Sequence, residues 1–171
     1  MKRYFTVLVI LLVATCGHYG FYTRSNPHLK TIMITEFQNK TEEYELPELV
    51  SEYLTDKFID DNRLEVKGAN ADTDVIGTIN SYEKTVFTYD EAENPLQWQV
   101  AISFAVDVED MIKDTTVWKN SNLRLKAIYG NSSGSETSTG DEVNLMTEEE
   151  AIKNIIEELG SNILTNTIEQ W

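Results

Sequence analysis

The stretch WQVAISFAVDV (98–108) decides how this chain folds. Its even positions are Trp98, Val100, Ile102, Phe104, Val106 and Val108, and its odd positions are Gln99, Ala101, Ser103, Ala105 and Asp107. Successive side chains of a strand point to opposite faces, so this alternation demands a sheet with one buried face and one polar or small-residue face. Upstream, VIGTINSYEKTVFTY (75–89) reads as a second long strand, joined to the first by the hairpin loop DEAENPL, with Gly77 marking a bulge or the close approach of a neighbour. Downstream, TVWKNSNLRLKAIY (116–129) alternates again: Val117, Leu123, Leu125, Ala127 and Tyr129 share one parity, and Asn120, Asn122, Arg124 and Lys126 the other.

Further out the period changes. Leu46, Leu49, Val50, Tyr53, Leu54 and Phe58 follow the i, i+3, i+4, i+7 rule of an amphipathic helix, with Pro47 suited to its first turn and Asp60-Asp61-Asn62 at its end. TEEEAIKNIIEELGSNILTNTIEQW (147–171) opens with Thr147 and Glu150 in capping-box spacing and carries Ile152, Ile155, Ile156, Leu159, Ile163 and Leu164. It predicts a helix despite Gly160, which costs about 1 kcal/mol relative to Ala. LKTIMITEFQN (29–39) reads as a strand and LEVK (64–67) as a short one, whereas GNSSGSETSTGDEVN (130–144) holds too few apolar residues to bury and should be mobile. Counting the longer segments, the order is β-α-β-β-β-α. The fold class expected is α+β, a two-layer sandwich of a four-stranded mixed sheet with two helices packed on one face.

The N-terminus is an address. MKRYFTVLVILLVAT (1–15) places Lys2 and Arg3 before a short apolar run, the order of a secretory signal, and is too short for a permanent span of about 20 residues. Val13-Ala14-Thr15-Cys16 resembles the lipobox of bacterial lipoproteins, in which the cysteine is lipidated and becomes the new N-terminus. The alternative is an ordinary secretory signal that leaves Cys16 as a free thiol. Several acyl chains at about 0.8 kcal/mol per buried CH₂ anchor a domain where one chain is marginal. Cys16 is the chain's single cysteine, so no internal disulfide can form. GHYGFYTRSNPH (17–28) shows no sustained periodicity and suits a tether, so the organisation expected is signal peptide 1–15, lipid-anchored tether 16–28 and one domain at 29–171 with a mobile segment at 130–146.

Composition excludes several functions. Removing residues 1–15, which hold two bases and no acid, takes the formal charge from −15 to −17. That balance argues against nucleic acid and against broad adhesion to anionic lipid heads. The two histidines, His18 and His28, fall in or beside the tether, so no zinc-type cluster and no histidine-based nucleophile scheme can be assembled, and no P-loop is present. Asp107, Glu109 and Asp110 could supply a general acid and base, but the simpler reading is a solvated strand end. Neither an enzyme nor a cofactor is expected. The large apolar residues read as core. Lys119, Arg124 and Lys126, with Asn120 and Asn122, form a local basic and polar group on or near a strand face that the helices would leave uncovered, either a solvated face or a contact surface.

The order of these pieces resembles the lipopolysaccharide-assembly lipoprotein family, LptE. The resemblance runs through CGHYGFY, HLKTIMITEFQNKT, ELPELVSEYLTDKFIDDNRLEV, DVIGTINSYEKTVFTY, WQVAISFAVDVED, Val117-Trp118 and the terminal helix ending in Trp171. It implies a non-enzymatic lipoprotein of the outer membrane, lipid-anchored at Cys16 and facing the periplasm. Such a protein plugs the β-barrel translocon LptD, assists its assembly and helps lipopolysaccharide reach the outer leaflet. It also implies lipopolysaccharide or partner contact at Lys119, Arg124 and Lys126, with Asn120 and Asn122. A second class, periplasmic activators of penicillin-binding proteins and curli-secretion lipoproteins, shares an opening strand of this kind followed by an amphipathic helix.

Overall fold

The computed structural model describes residues 26–130 and 146–168. The expected signal peptide, Cys16, most of the expected tether, the interior of the expected mobile segment and Trp171 lie outside the described residues. The elements are β1 (Thr31–Ile34), β2 (Gln38–Asn39), α1 (Leu46–Asp61), β3 (Glu65–Val66), β4 (Thr73–Tyr89), β5 (Pro95–Asp110), β6 (Thr115–Gly130) and α2 (Glu148–Ile168). The sheet runs β3-β1-β4-β5-β6, with β2 also pairing on β4. β1 is parallel to β3 and β4, β2 is parallel to β4, and β4, β5 and β6 form an antiparallel meander.

The α+β class with a mixed sheet and two helices stands; the strand count does not. Six strands replace the expected four, because the short stretch at Glu65–Val66 pairs with β1 and because the single strand expected over 29–39 is two strands. The break is packing. Ile34 pairs with Val75 and Gln38 with Thr78, so the chain spends one residue more than β4 does over the same distance and arches between them. The arch drives Phe37 into the core, edge-on to Phe104 with ring centres 6.4 Å apart. A side chain on Gly77 would fall inside the Phe37 ring. Gly77 is therefore the close approach of a neighbour that its place in a strand suggested.

The even residues of β5 meet both helices in one core. Val100, Ile102, Phe104, Val106 and Val108 cluster with Val50, Leu54 and Phe58 of α1 and with Ile155, Ile156, Leu159 and Ile163 of α2. Such side chains each contribute about 1.5–3 kcal/mol on full burial. At the helix crossing, a Cβ on Gly160 would stand 2.9 Å from Lys57 Cγ and 3.3 Å from Leu54 Cδ2, so the glycine that weakens α2 locally lets α1 lie close. Two of the helix ends are chemically closed. Thr147 and Glu150 make the expected capping box, with the Thr147 N–H donating to the carboxylate at 2.7 Å and the Glu150 N–H to the hydroxyl at 3.2 Å. Asn62 takes a left-handed conformation (φ 55°) and donates its N–H to the Phe58 carbonyl. Asp61, unfavourable beside the carbonyl end of α1, is held by Arg63 at 2.6 and 2.9 Å.

Gly77→Ala should lower stability by about 3 kcal/mol through overpacking against Phe37. In a Phe37→Ala background, itself destabilised by about 3–5 kcal/mol, the same change should cost less than about 1 kcal/mol. A double-mutant cycle by urea denaturation checks this.

Candidate functional site

The open face of the sheet is built on the small odd residues of β5. Ser103 pairs with Arg124 and Ala101 with Lys126 on β6, while Ser81 and Glu83 of β4 flank them on the other side. The small side chains leave room for longer ones to cross: Arg124 reaches over β5 to Glu83, 2.8 Å from guanidinium to carboxylate, with a second contact at 3.3 Å. Lys119 reaches Asp107 at 2.8 Å. Lys126 has no ion-pair partner among the described residues.

Parity alone does not place these residues. Phe104 pairs with Leu123 and Val106 with Asn120, so β6 carries an extra residue at Ser121–Asn122 and its alternation slips. Below the slip the even residues Asn120 and Trp118 face the helix side with Val106 and Val108, and Lys119 faces outward. The expectation that Asn120 shares the outer face with Arg124 and Lys126 is therefore corrected. Its side chain instead accepts the Asn122 N–H at 3.0 Å and closes the bulge. The same slip brings Lys119, which parity sets apart, onto the face of Arg124 and Lys126. Asn122 is exposed within the bulge itself.

On the helix side, the first turn of α2 is tied to the sheet. Glu148 accepts hydrogen bonds from the Tyr82 hydroxyl at 2.7 Å and from Lys84 at 2.6 Å. The ammonium of Lys84 lies over the rings of Trp98 and Tyr129, 5.4 and 5.3 Å from their centres. Burial raises the pKa of Glu148, yet its hydrogen bonds to Lys84 and Tyr82 outweigh that and hold the carboxyl below its ordinary value. Burial, with Glu148 beside it, pushes the Tyr82 hydroxyl up. The carbonyl of Met146 accepts the Gly130 N–H at 3.1 Å, so β6 and α2 meet at this same corner.

A third cluster stands at the opposite end of β5. Asp110 is 2% exposed, which corrects its reading as part of a solvated strand end, whereas Asp107 and Glu109 are half-exposed. It lies on the even, buried parity of β5, a signal the sequence does contain. His28 Nε2 meets its carboxylate at 2.5 Å, and the N–H groups of Ile112 and Lys113 donate to it at 3.0 Å each. Lys113 Nζ lies 3.5 Å from the other His28 nitrogen. Asn26 donates to the Thr167 carbonyl of α2 at 3.0 Å, and Leu29 is buried. Hydrogen-bonded structure thus reaches to Asn26, three residues ahead of the expected domain start. Asp72 fastens the same end by accepting the N–H groups of Lys30 and Thr31 at 2.9 and 3.0 Å. Among the described residues no group of carboxylates, histidines or cysteines is arranged to hold a metal, and no helix is long and apolar enough to cross a membrane.

The model of the family described as LptE, lipopolysaccharide-assembly, matches residues 29–167. No curated protein sequence matches the chain. A hypothetical protein from Chlamydia trachomatis shares the fold with a TM-score of 0.55 at 13% identity, covering 81% of this chain and 98% of that one. A protein from Xanthomonas campestris does so with a TM-score of 0.52 at 8% identity, covering 83% and 87%.

Burial raises the pKa of Asp110, but the hydrogen bonds from His28, Lys113 and Ile112 prevail and leave it below its ordinary value. A carboxyl depressed in this way contributes its stability in full above its unfolded pKa of about 3.9 and loses it as pH falls through the folded value. Asp110→Asn should therefore flatten the acid limb of the stability curve below about pH 4. At neutral pH, His28→Ala should cost about 1–3 kcal/mol by stripping a hydrogen bond from a buried carboxylate. Thermal unfolding across pH reads both.

Proposed function

From the premise that the chain belongs to the lipopolysaccharide-assembly family LptE, we propose that it is an outer-membrane lipoprotein, anchored through Cys16 at the periplasmic face. In this reading it occupies the lumen of an LptD-type β-barrel and assists its assembly and the passage of lipopolysaccharide. The observation that carries this is the extent of the family match, 29–167, which takes in every element of the fold except the last residue of α2. The family is non-enzymatic, and the role proposed is structural.

The geometry supports it in two ways. The lumen of a large outer-membrane barrel is polar, and the open face offers a polar lining surface in which Arg124–Glu83 and Lys119–Asp107 are already paired. Those exposed pairs contribute about 0–1 kcal/mol each to stability, so they can exchange partners at little cost to the fold. Lys126 has a charge to offer without such an exchange. Direct contact with the phosphates of lipopolysaccharide would use Lys126 first, with Lys119 and Arg124 following once released from their acids.

Affinity purification from detergent-solubilised membranes should bring down an LptD-like barrel; a murein synthase or a self-oligomer in its place would favour the activator or secretion-channel class. Replacing Lys119, Arg124 and Lys126 together with Gln should reduce lipopolysaccharide retained on the purified protein while leaving the unfolding midpoint nearly unchanged. Unchanged retention rejects direct contact through this group.

A further inference from the structure

The turn between β5 and β6 presents two adjacent apolar side chains to solvent, Met111 at 54% and Ile112 at 58% exposure. This exposure is held in place by the backbone. The Met111 N–H donates to the Asp72 carbonyl at 2.8 Å, the next two N–H groups donate to the buried Asp110 carboxylate, and Asp114 turns the chain back in a left-handed conformation (φ 55°). A turn so well hydrogen-bonded displays Met111 and Ile112 on a backbone that is already ordered.

The chain enters the domain at this same end. His28 is bound to Asp110, the residue that precedes Met111, and Asn26 is bound to the last turn of α2. Ten residue steps separate Asn26 from Cys16. That length spans at most about 35 Å fully extended and about 17 Å as a flexible coil. An acylated Cys16 therefore keeps the β5–β6 turn close to the lipid surface. The far end of the sheet lies about 50 Å away along β5 at 3.2–3.4 Å per residue.

Charge selects between the two ends. The β4–β5 hairpin also exposes Phe87, Tyr89 and Leu96, but its loop carries Asp90, Glu91 and Glu93, which anionic headgroups repel. At the β5–β6 turn, Lys113 follows Ile112. Asp110 is buried against His28, and the half-exposed Asp72 is engaged by two backbone N–H groups, with Asp114 left exposed on the turn.

We propose that Met111 and Ile112 form a membrane-facing tip that dips into the lipid surface beside the acyl anchor and sets the orientation of the domain. The inference rests on the anchoring of Cys16 stated above. The contact is apolar, so it persists at high salt, where an electrostatic one would be screened.

The test uses the full-length protein purified from membranes, carrying Ile112→Cys or, as a second site, Met111→Cys, labelled with an environment-sensitive fluorophore, with Tyr89→Cys as the far-end reference. Each is reconstituted into phosphatidylethanolamine and phosphatidylglycerol vesicles containing brominated acyl chains, and mass spectrometry of the N-terminal peptide reports the state of Cys16. Quenching at 111 and 112 about twofold stronger than at 89, unaltered by salt, is the expected result. Equal, water-like signals at both ends on an acylated chain would overturn the tip while leaving the anchor intact. A Cys16 found unmodified by mass spectrometry would remove the anchor and overturn the proposal with it. Shielding at 112 that arises only after the barrel partner is added would assign the tip to protein and overturn the lipid contact.

Discussion

Val100, Ile102, Phe104, Val106 and Val108 of β5 are withdrawn from water almost completely, and the other elements are placed by the need to keep them so. β4 and β6 pair with β5 on its two edges, and both helices cover the face to which these residues point. Phe37 completes the cover by reaching across Gly77 to Phe104. Closing that gap interrupts a strand, which the fold accepts because a buried aromatic outweighs the few backbone hydrogen bonds an unbroken strand would add.

The other face of β5 is governed by size. Ala101 and Ser103 are too small to fill their side of the sheet, so side chains from the two flanking strands lie across them, and Arg124 and Glu83 meet over β5. An acidic protein would ordinarily surround each base with surplus carboxylates. Here the acids nearest the basic group are committed to particular partners, which leaves a face that is polar and locally close to neutral. This is the surface a domain needs if it is to sit inside a water-lined cavity rather than repel its wall.

The two ends of the sheet are chemically different, and the difference gives the domain a direction. One end is acidic and aromatic at the β4–β5 hairpin. The other gathers the entry of the chain, the buried His28–Asp110 pair and a small apolar tip. A domain tethered by lipid gains from such polarity, since a tether alone limits distance from the membrane but not rotation about the anchor.

Much of this was legible in the chain itself. The two alternation patterns, the two helical stripes and the Thr147–Glu150 capping box are local statements, and local periodicity reports which face of an element is buried. Asp110 belongs with them, because its even position in β5 marks it as buried despite its charge. What only the tertiary structure decided is where periodicity slips. The bulge at Ser121–Asn122 turns Asn120 inward and Lys119 outward, and the arch over Gly77 splits the first strand. The cause is physical: a bulge or an arch is a settlement between elements distant in sequence, and no single segment contains the contacts that make one register more stable than the next.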